Sequence, residues 1–257
     1  MAQGLIKGVL DASLANPSDI SVGEIDEQKC RELAEGFGVI VDTNNSNVVK
    51  NGELIILAVK PQNLSEVASQ ISGMLTPGQT IISVIAGTRI PTLIELLSHK
   101  HVIRVMPNTP AQIGKGMILW MCSKEVESEV IRKTRSILKT LGVEIQVYNE
   151  HYMDMATALS ASGPAYVFTF IEALIDAGVF IGLPRPMAKA LTLQTLIGST
   201  QLAMESEKHT AELRDMVASP GGTTVAALLS LEEGKFRSTV MNAVIAAYEK
   251  SISLGGK

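Results

Sequence analysis

Between Ile20 and Val147 short apolar runs alternate with segments of helical period, and beyond Asn149 the strand pattern does not return. Ile20–Val22, Val39–Val41, Leu54–Val59, Thr80–Ile85, His101–Met106, Met117–Met121 and Glu144–Val147 read as strands. Glu27–Phe37, Ser46–Asn51, Leu64–Met74, Pro91–Leu97 and Lys124–Leu141 read as the helices between them. Alternation of this kind predicts βαβ units and a mostly parallel sheet, because parallel neighbours must be joined by crossovers that pack on the sheet. From 150 onward, His151–Ser160, Ala165–Ile181, Arg185–Glu205, Thr210–Ala218, Thr224–Glu233 and Gly234–Ser253 all read as helices. Residues 1–149 are therefore expected to form an α/β domain and residues 150–257 an all-helical one.

The α/β pattern starts in the middle of a unit. Met1–Leu10 has the pattern of the helix that follows a buried strand and a Gly-x-Gly-x-x-Ala turn in a Rossmann-like domain, with Ala2 matching the last small residue of that turn. The glycines that would let a pyrophosphate approach the backbone have no counterpart in the sequence. A truncated reading of the gene is expected, and loss of a central strand would leave two neighbouring strands unpaired and the dinucleotide crevice open on one side.

Composition narrows the class. Net charge is −4, with no basic cluster, so nucleic acid and anionic membranes gain no electrostatic support and neither partner is expected. Apolar runs such as Leu54–Val59 and Tyr166–Ile171 fall short of the ~18–20 residues of a membrane span. Met1–Leu14 lacks the organisation of a secretory signal, which points to a soluble, cytoplasmic protein. Cys30 and Cys122 lie in unrelated contexts and are expected as free thiols; with four scattered histidines no metal site is expected. Hydrophobic residues make up 46% of the chain, and Ala165–Ile181 and Arg185–Ala203 are apolar around much of their circumference. So small a helical domain cannot easily bury that surface alone, so a homodimer is expected, with a higher assembly of dimers left open. An ordinary bundle core is the alternative.

Two helix starts carry the chemistry. Ser219-Pro220-Gly221-Gly222-Thr223-Thr224 and Ala161-Ser162-Gly163-Pro164-Ala165-Tyr166 each place a proline and small residues before a helical pattern, which exposes N–H groups to an anion. Continuing through Val225, Ala226, Leu228, Leu231 and Glu232, the first resembles the signature of the pyrroline-5-carboxylate reductase family. Ala58-Val59-Lys60-Pro61-Gln62, Ser83-Val84-Ile85-Ala86-Gly87, Val105-Met106-Pro107-Asn108-Thr109-Pro110 and Gly182-Leu183-Pro184-Arg185 follow that family in order and spacing. The likeness covers nearly the whole chain.

The resemblance implies a Rossmann-like domain, a helical dimerisation domain, and hydride transfer from NADPH, in some members NADH, to a cyclic imine bearing a carboxylate, giving L-proline. It puts Gly221, Gly222 and Thr223 amides on the carboxylate, the Thr224 hydroxyl on the imine nitrogen, and Ser219 in the same cradle. Ser162, Gly163 and Pro164 become the opposite wall, for which a helix-breaking proline is the plain alternative. Ala2, Asn45, Ala58, Val59, Lys60, Pro61, Ala86, Gly87 and Asn108 become cofactor contacts. On the residues alone, Asn45 is equally an N-cap, Thr224 part of a Ser/Thr cap, Lys60 a surface lysine, and Asn108 either a nicotinamide contact or a turn cap. Glu24, just past the Ile20–Val22 strand, would bind a ribose 2′-OH and repel a 2′-phosphate, which sets it against NADPH; a solvated surface charge is the equal alternative. Glu207 is a weaker candidate near the substrate, and His151 and His209 read as surface or cap residues. A non-catalytic dimeric homologue, or another dehydrogenase of the 6-phosphogluconate type, is the competing function; the latter class uses an interdomain lysine that His151–Ser160 lacks.

Overall fold

The computed structural model describes residues 1–255. The chain divides into one compact unit of Met1–Ser162 with the residues from Ala247 onward, and a second of Gly163–Ala246. In the first, strands β1 (Ser21–Gly23), β2 (Ile40–Asp42), β3 (Leu54–Leu57), β4 (Thr80–Ser83), β5 (Val102–Pro107), β6 (Gly116–Cys122) and β7 (Gly142–Gln146) alternate with helices. The helices are α1 (Ala2–Asp11), α2 (Glu27–Phe37), α3 (Asn45–Val48), α4 (Leu64–Ile71), α5 (Ile90–Leu97), α6 (Ser128–Lys139) and α7 (Glu150–Ala156). A short 3-10 helix, Thr109–Ile113, follows β5, and a π-turn, Thr157–Ala161, follows α7.

The expected mostly parallel sheet is present, and so is the expected break between two strands that lack a common neighbour. The sheet is divided into a parallel pair β1-β2 and a five-stranded sheet in the order β3-β4-β5-β6-β7, so β1 and β3 are both end strands. All pairings are parallel except β5 with β6. The reversal follows from a short connection: only Asn108–Lys115 separates the two strands, too few residues for a crossover.

Period-two alternation divides the core. Ile81 and Val102 point toward the cluster built with α4 and α5, through Ala68, Ile71, Leu93 and Leu97. Ile82 and Ile103 point the other way, toward Leu5, Leu138, Leu141 and Trp120. Both faces of the sheet are thus covered, which is why β4 and β5 are continuously apolar apart from a few residues. Adjacent residues of α1 serve different cores: Leu5 joins the large sheet, whereas Ile6 packs with Leu33 and Val39 beside β1 and β2.

The exception inside β5 is Arg104, 1% exposed. Its guanidinium is paired with Glu150 at the start of α7, and the other Glu150 oxygen accepts the Ile90 N–H at 3.0 Å, at the start of α5. Close by in sequence, Asp154 is likewise buried and accepts hydrogen bonds from Arg89 Nη2 (3.2 Å) and Ser251 Oγ (3.0 Å). Two carboxylates one turn apart on α7 therefore tie together β5, the start of α5 and the end of α12 (Phe236–Gly255).

The second unit is helical: α8 (Gly163–Phe180), α9 (Arg185–Glu205), α10 (Thr210–Met216), α11 (Thr223–Glu233) and the first part of α12. Helix α12 starts at Phe236 rather than Gly234 because Lys235 takes φ +55°, a conformation that interrupts helix. Apolar residues on these helices are largely exposed: no residue of α8 is buried, and only Ala188 and Thr192 of α9 are. Taken as one run, Glu150–Phe180 has the length and mean hydropathy (1.4 over its best window) of a membrane span, which the shorter apolar runs did not suggest. Apolar surface of this extent marks a contact with other apolar matter.

Candidate active site

Strands β3, β4 and β5 run parallel and adjacent, so the segments leaving their carboxyl ends lie along one edge of the sheet. They are Ala58-Val59-Lys60-Pro61, Ala86-Gly87 and Asn108. In a doubly wound sheet this edge is where ligands bind. Lys60 is exposed at the start of a 3-10 turn, and among the described residues its ammonium has no ion pair. Gly87 has φ +75° and lies against Leu254 near the end of α12. The first turn of α1 packs beside the same edge, with Gly4 against Ala111 and Gln112, and no side chain caps its N-terminal amides. Uncapped helix amides and a free ammonium fit the phosphates of a dinucleotide, and the small residues at 86 and 87 fit close approach of a ribose. Ala2 is the first residue of that helix.

Asn45 does not cap α3; the cap is Asn44, whose side chain accepts the Ser46 N–H. The Asn45 amide instead donates to Gln70 Oε1 at 2.8 Å, and its oxygen lies against Gly23 at the end of β1. Glu24, next in the chain, accepts the Asp26 N–H at 3.1 Å. Asp26 in turn caps α2, and the Lys29 and Gln28 amides on its carboxylate hold its pKa below the usual value. The rim after β1 is thus acidic, and its nearest cation, Lys29, faces Asp26 at 3.8 Å.

In the second unit the Ser219–Gly222 turn closes through the Gly222 N–H to the Ser219 carbonyl at 2.9 Å. Pro220 and Gly221 occupy its two central positions, and Gly221 has φ +71°, the pattern of a type II turn that glycine adopts without strain. Two expectations change here. The cap of α11 is Gly222, not a serine or threonine, and no side chain satisfies the helix. The Gly222 amide is also spent on the turn, so it is not available to a carboxylate. What the geometry offers is the Thr223 and Thr224 amides, which find no acceptor among the described residues, together with the half-buried Thr224 side chain. Ser219 Oγ sits beside Gly222, where a Cβ would approach it to 2.9 Å.

Ser162 closes the π-turn by donating its N–H to the Thr157 carbonyl at 2.9 Å, and Gly163 and Pro164 open α8. His209 is a cap: its ring nitrogen accepts the Ala211 N–H, and Glu212 returns a bond to its backbone. His151 is exposed on α7 and Glu207 is exposed between α9 and α10. Cys30 and Cys122 are both free. Arg104, Glu150, Asp154 and Ser251 were not singled out from the sequence. An arginine alone in the run Val102–Met106 was the available signal, because a buried guanidinium requires an acid.

A Rossmann-like sheet with loops leaving its carboxyl edge, followed by an all-helical unit with exposed apolar faces, is the arrangement found in two-domain oxidoreductases that use a nicotinamide dinucleotide. Residues 150–254 match the family model described as pyrroline-5-carboxylate reductase dimerisation, and residues 1–87 match that of NADP oxidoreductase, coenzyme F420-dependent. A pyrroline-5-carboxylate reductase of Synechocystis sp. is 38% identical over 257 residues, covering 100% of this chain and 96% of the relative. Among solved structures, the pyrroline-5-carboxylate reductase of Coxiella burnetii superposes with a TM-score of 0.88 at 32% identity, covering 98% and 94% of the two chains. The Plasmodium falciparum pyrroline carboxylate reductase with NADP bound gives 0.89 at 34%, covering 98% and 93%. The chain belongs to the pyrroline-5-carboxylate reductase family.

Proposed function

We propose that the protein reduces 1-pyrroline-5-carboxylate to L-proline, the last step of proline synthesis, at the expense of NADPH or NADH. The observation that carries the reading is the uncapped start of α11 behind its Pro-Gly-Gly turn, in a chain whose full-length relatives bear this activity in their names. The Thr223 and Thr224 amides take the substrate carboxylate, a natural ligand for a helix N-terminus. Thr224 Oγ1 hydrogen-bonds the imine nitrogen, and Ser219 and Gly221 shape the turn. Ser162, Gly163 and Pro164 are assigned to the substrate as well. Asn45, Lys60, Ala86 and Gly87 hold the cofactor, which when bound supplies the hydride. An imine protonates more readily than a ketone, so the side chains chiefly orient the reactants and exclude water. Glu24 and Asp26 present negative charge after β1, which supports acceptance of NADH beside the NADPH common in the family.

The purified chain is expected to oxidise reduced nicotinamide cofactor in step with proline formation when given the cyclic imine; no proline would refute the activity. Thr224→Ala should lower turnover about tenfold, the worth of one lost hydrogen bond of ~1.4 kcal/mol, with cofactor affinity unchanged. Unaltered kinetics would remove Thr224 from its role.

The functional particle is a homodimer formed through the second unit. Its support is the match to the dimerisation model and the exposure of Val167, Phe168, Leu191 and Ile197. Sedimentation should return twice the 27.4 kDa chain mass, or a multiple of that dimer. A monomer at micromolar concentration would contradict it.

A further inference from the structure

Pro164 leaves a gap in the helical ladder. In an α-helix the carbonyl of Ser160 takes the N–H of the residue four positions on, and here that residue is proline, which has none. Just before the proline the chain forms the π-turn Thr157–Ala161, in which Ser162 bonds back five residues to Thr157. Such turns are rare and concentrate at functional sites. The donor missing at Ser160 comes from elsewhere: Asn108 Nδ2 lies 3.3 Å from the Ser160 carbonyl oxygen and 3.4 Å from its Oγ.

Asn108 is itself held. It leaves β5 between Pro107 and the 3-10 helix, in extended conformation, and its Oδ1 accepts the Met117 N–H at 2.9 Å from β6. One carboxamide thus spans the reversal between β5 and β6 and reaches a turn about fifty residues further along the chain. Its Nδ2 is directed at two acceptors of the same residue, the carbonyl and the hydroxyl of Ser160.

We propose that Asn108 is a positioning residue that acts through Ser160: it locks the π-turn to the carboxyl edge of the sheet and so sets where Ser162 stands. The role deepens the reductase reading and rests on it for its effect on turnover. Direct contact of Asn108 with the cofactor is the competing role.

Two variants test it. Asn108→Asp is isosteric and keeps the acceptor for Met117 but cannot donate to Ser160 when ionised, whereas Asn108→Ala removes both bonds. Each should lower kcat/KM for the cyclic imine about tenfold while the Kd of NADPH and NADH stays within about twofold. In each, the backbone amide resonance of Ser162 should move in the cofactor-free protein. An Asp variant with native kinetics and a native Ser162 resonance would overturn the proposal. So would a rise in cofactor Kd that matches the loss in kcat/KM, which would return Asn108 to direct contact. If Asn108→Ala fails to fold, the isosteric variant decides. The resonance needs no turnover, so an inactive wild-type chain would refute the reductase reading and still leave the latch to be judged by Ser162.

Discussion

Glu150→Ala is expected to destabilise the first unit by about 3–5 kcal/mol, the usual consequence of stripping one partner from a buried ion pair. Arg104, on a strand packed on both faces, has no route to water, and its Nε already lacks a partner among the described residues. Removing the carboxylate leaves that charge buried and unpaired, and also orphans the Ile90 N–H that Glu150 accepts. In a unit of this size the melting temperature should fall by roughly 6–20 °C. The double variant Arg104→Met with Glu150→Leu should recover part of the loss, since it removes the uncompensated charge but not the orphaned amide. A single variant that melts within about a degree of the parent would show that the pair contributes nothing to stability.

Gly142→Ala should cost about as much, near 4 kcal/mol, by a different route. Gly142 adopts φ +142° and pairs in register with Gly116, so a Cβ on it would fall on the Gly116 backbone. Gly116 cannot retreat, because a short distance away it lies against the Ala111 backbone. Backbone strain of ~1–3 kcal/mol and overpacking of ~1–3 kcal/mol add, and the melting temperature should drop by roughly 8–16 °C. The damage should localise to β6 and β7, where amide exchange would accelerate. A stable variant with slow exchange there would mean that the two strands can separate at little cost.

The fold was legible where physics is local. Helix α2 stands where its apolar period and flanking breaks put it, helix α9 where its flanking breaks do, and most strands shifted by only a residue or two at each end. The change from α/β to all-helical structure was equally plain. Long-range pairing was not legible. The antiparallel placement of β6 depends on a connection too short for a crossover. At the site, Gly221 was readable from the Pro-Gly-Gly string, since a type II turn requires positive φ there. The loss of the Gly222 amide to that same turn was not, because hydrogen-bond ownership is settled by geometry. The Asn108–Ser160 contact lay deeper still. Proline at 164 announces a missing donor, but only the folded chain shows which residue supplies it.

The exposed edge of β3 has its own consequence. Leu54-Ile55-Ile56-Leu57 is a purely aliphatic strand at the end of a sheet, the kind of template on which a foreign chain can add by backbone pairing. Its protection comes from the residues that bracket it: Glu53, anchored to Lys133 at 2.7 Å, on one side, and Lys60 on the other. These charges act as gatekeepers against cross-β growth.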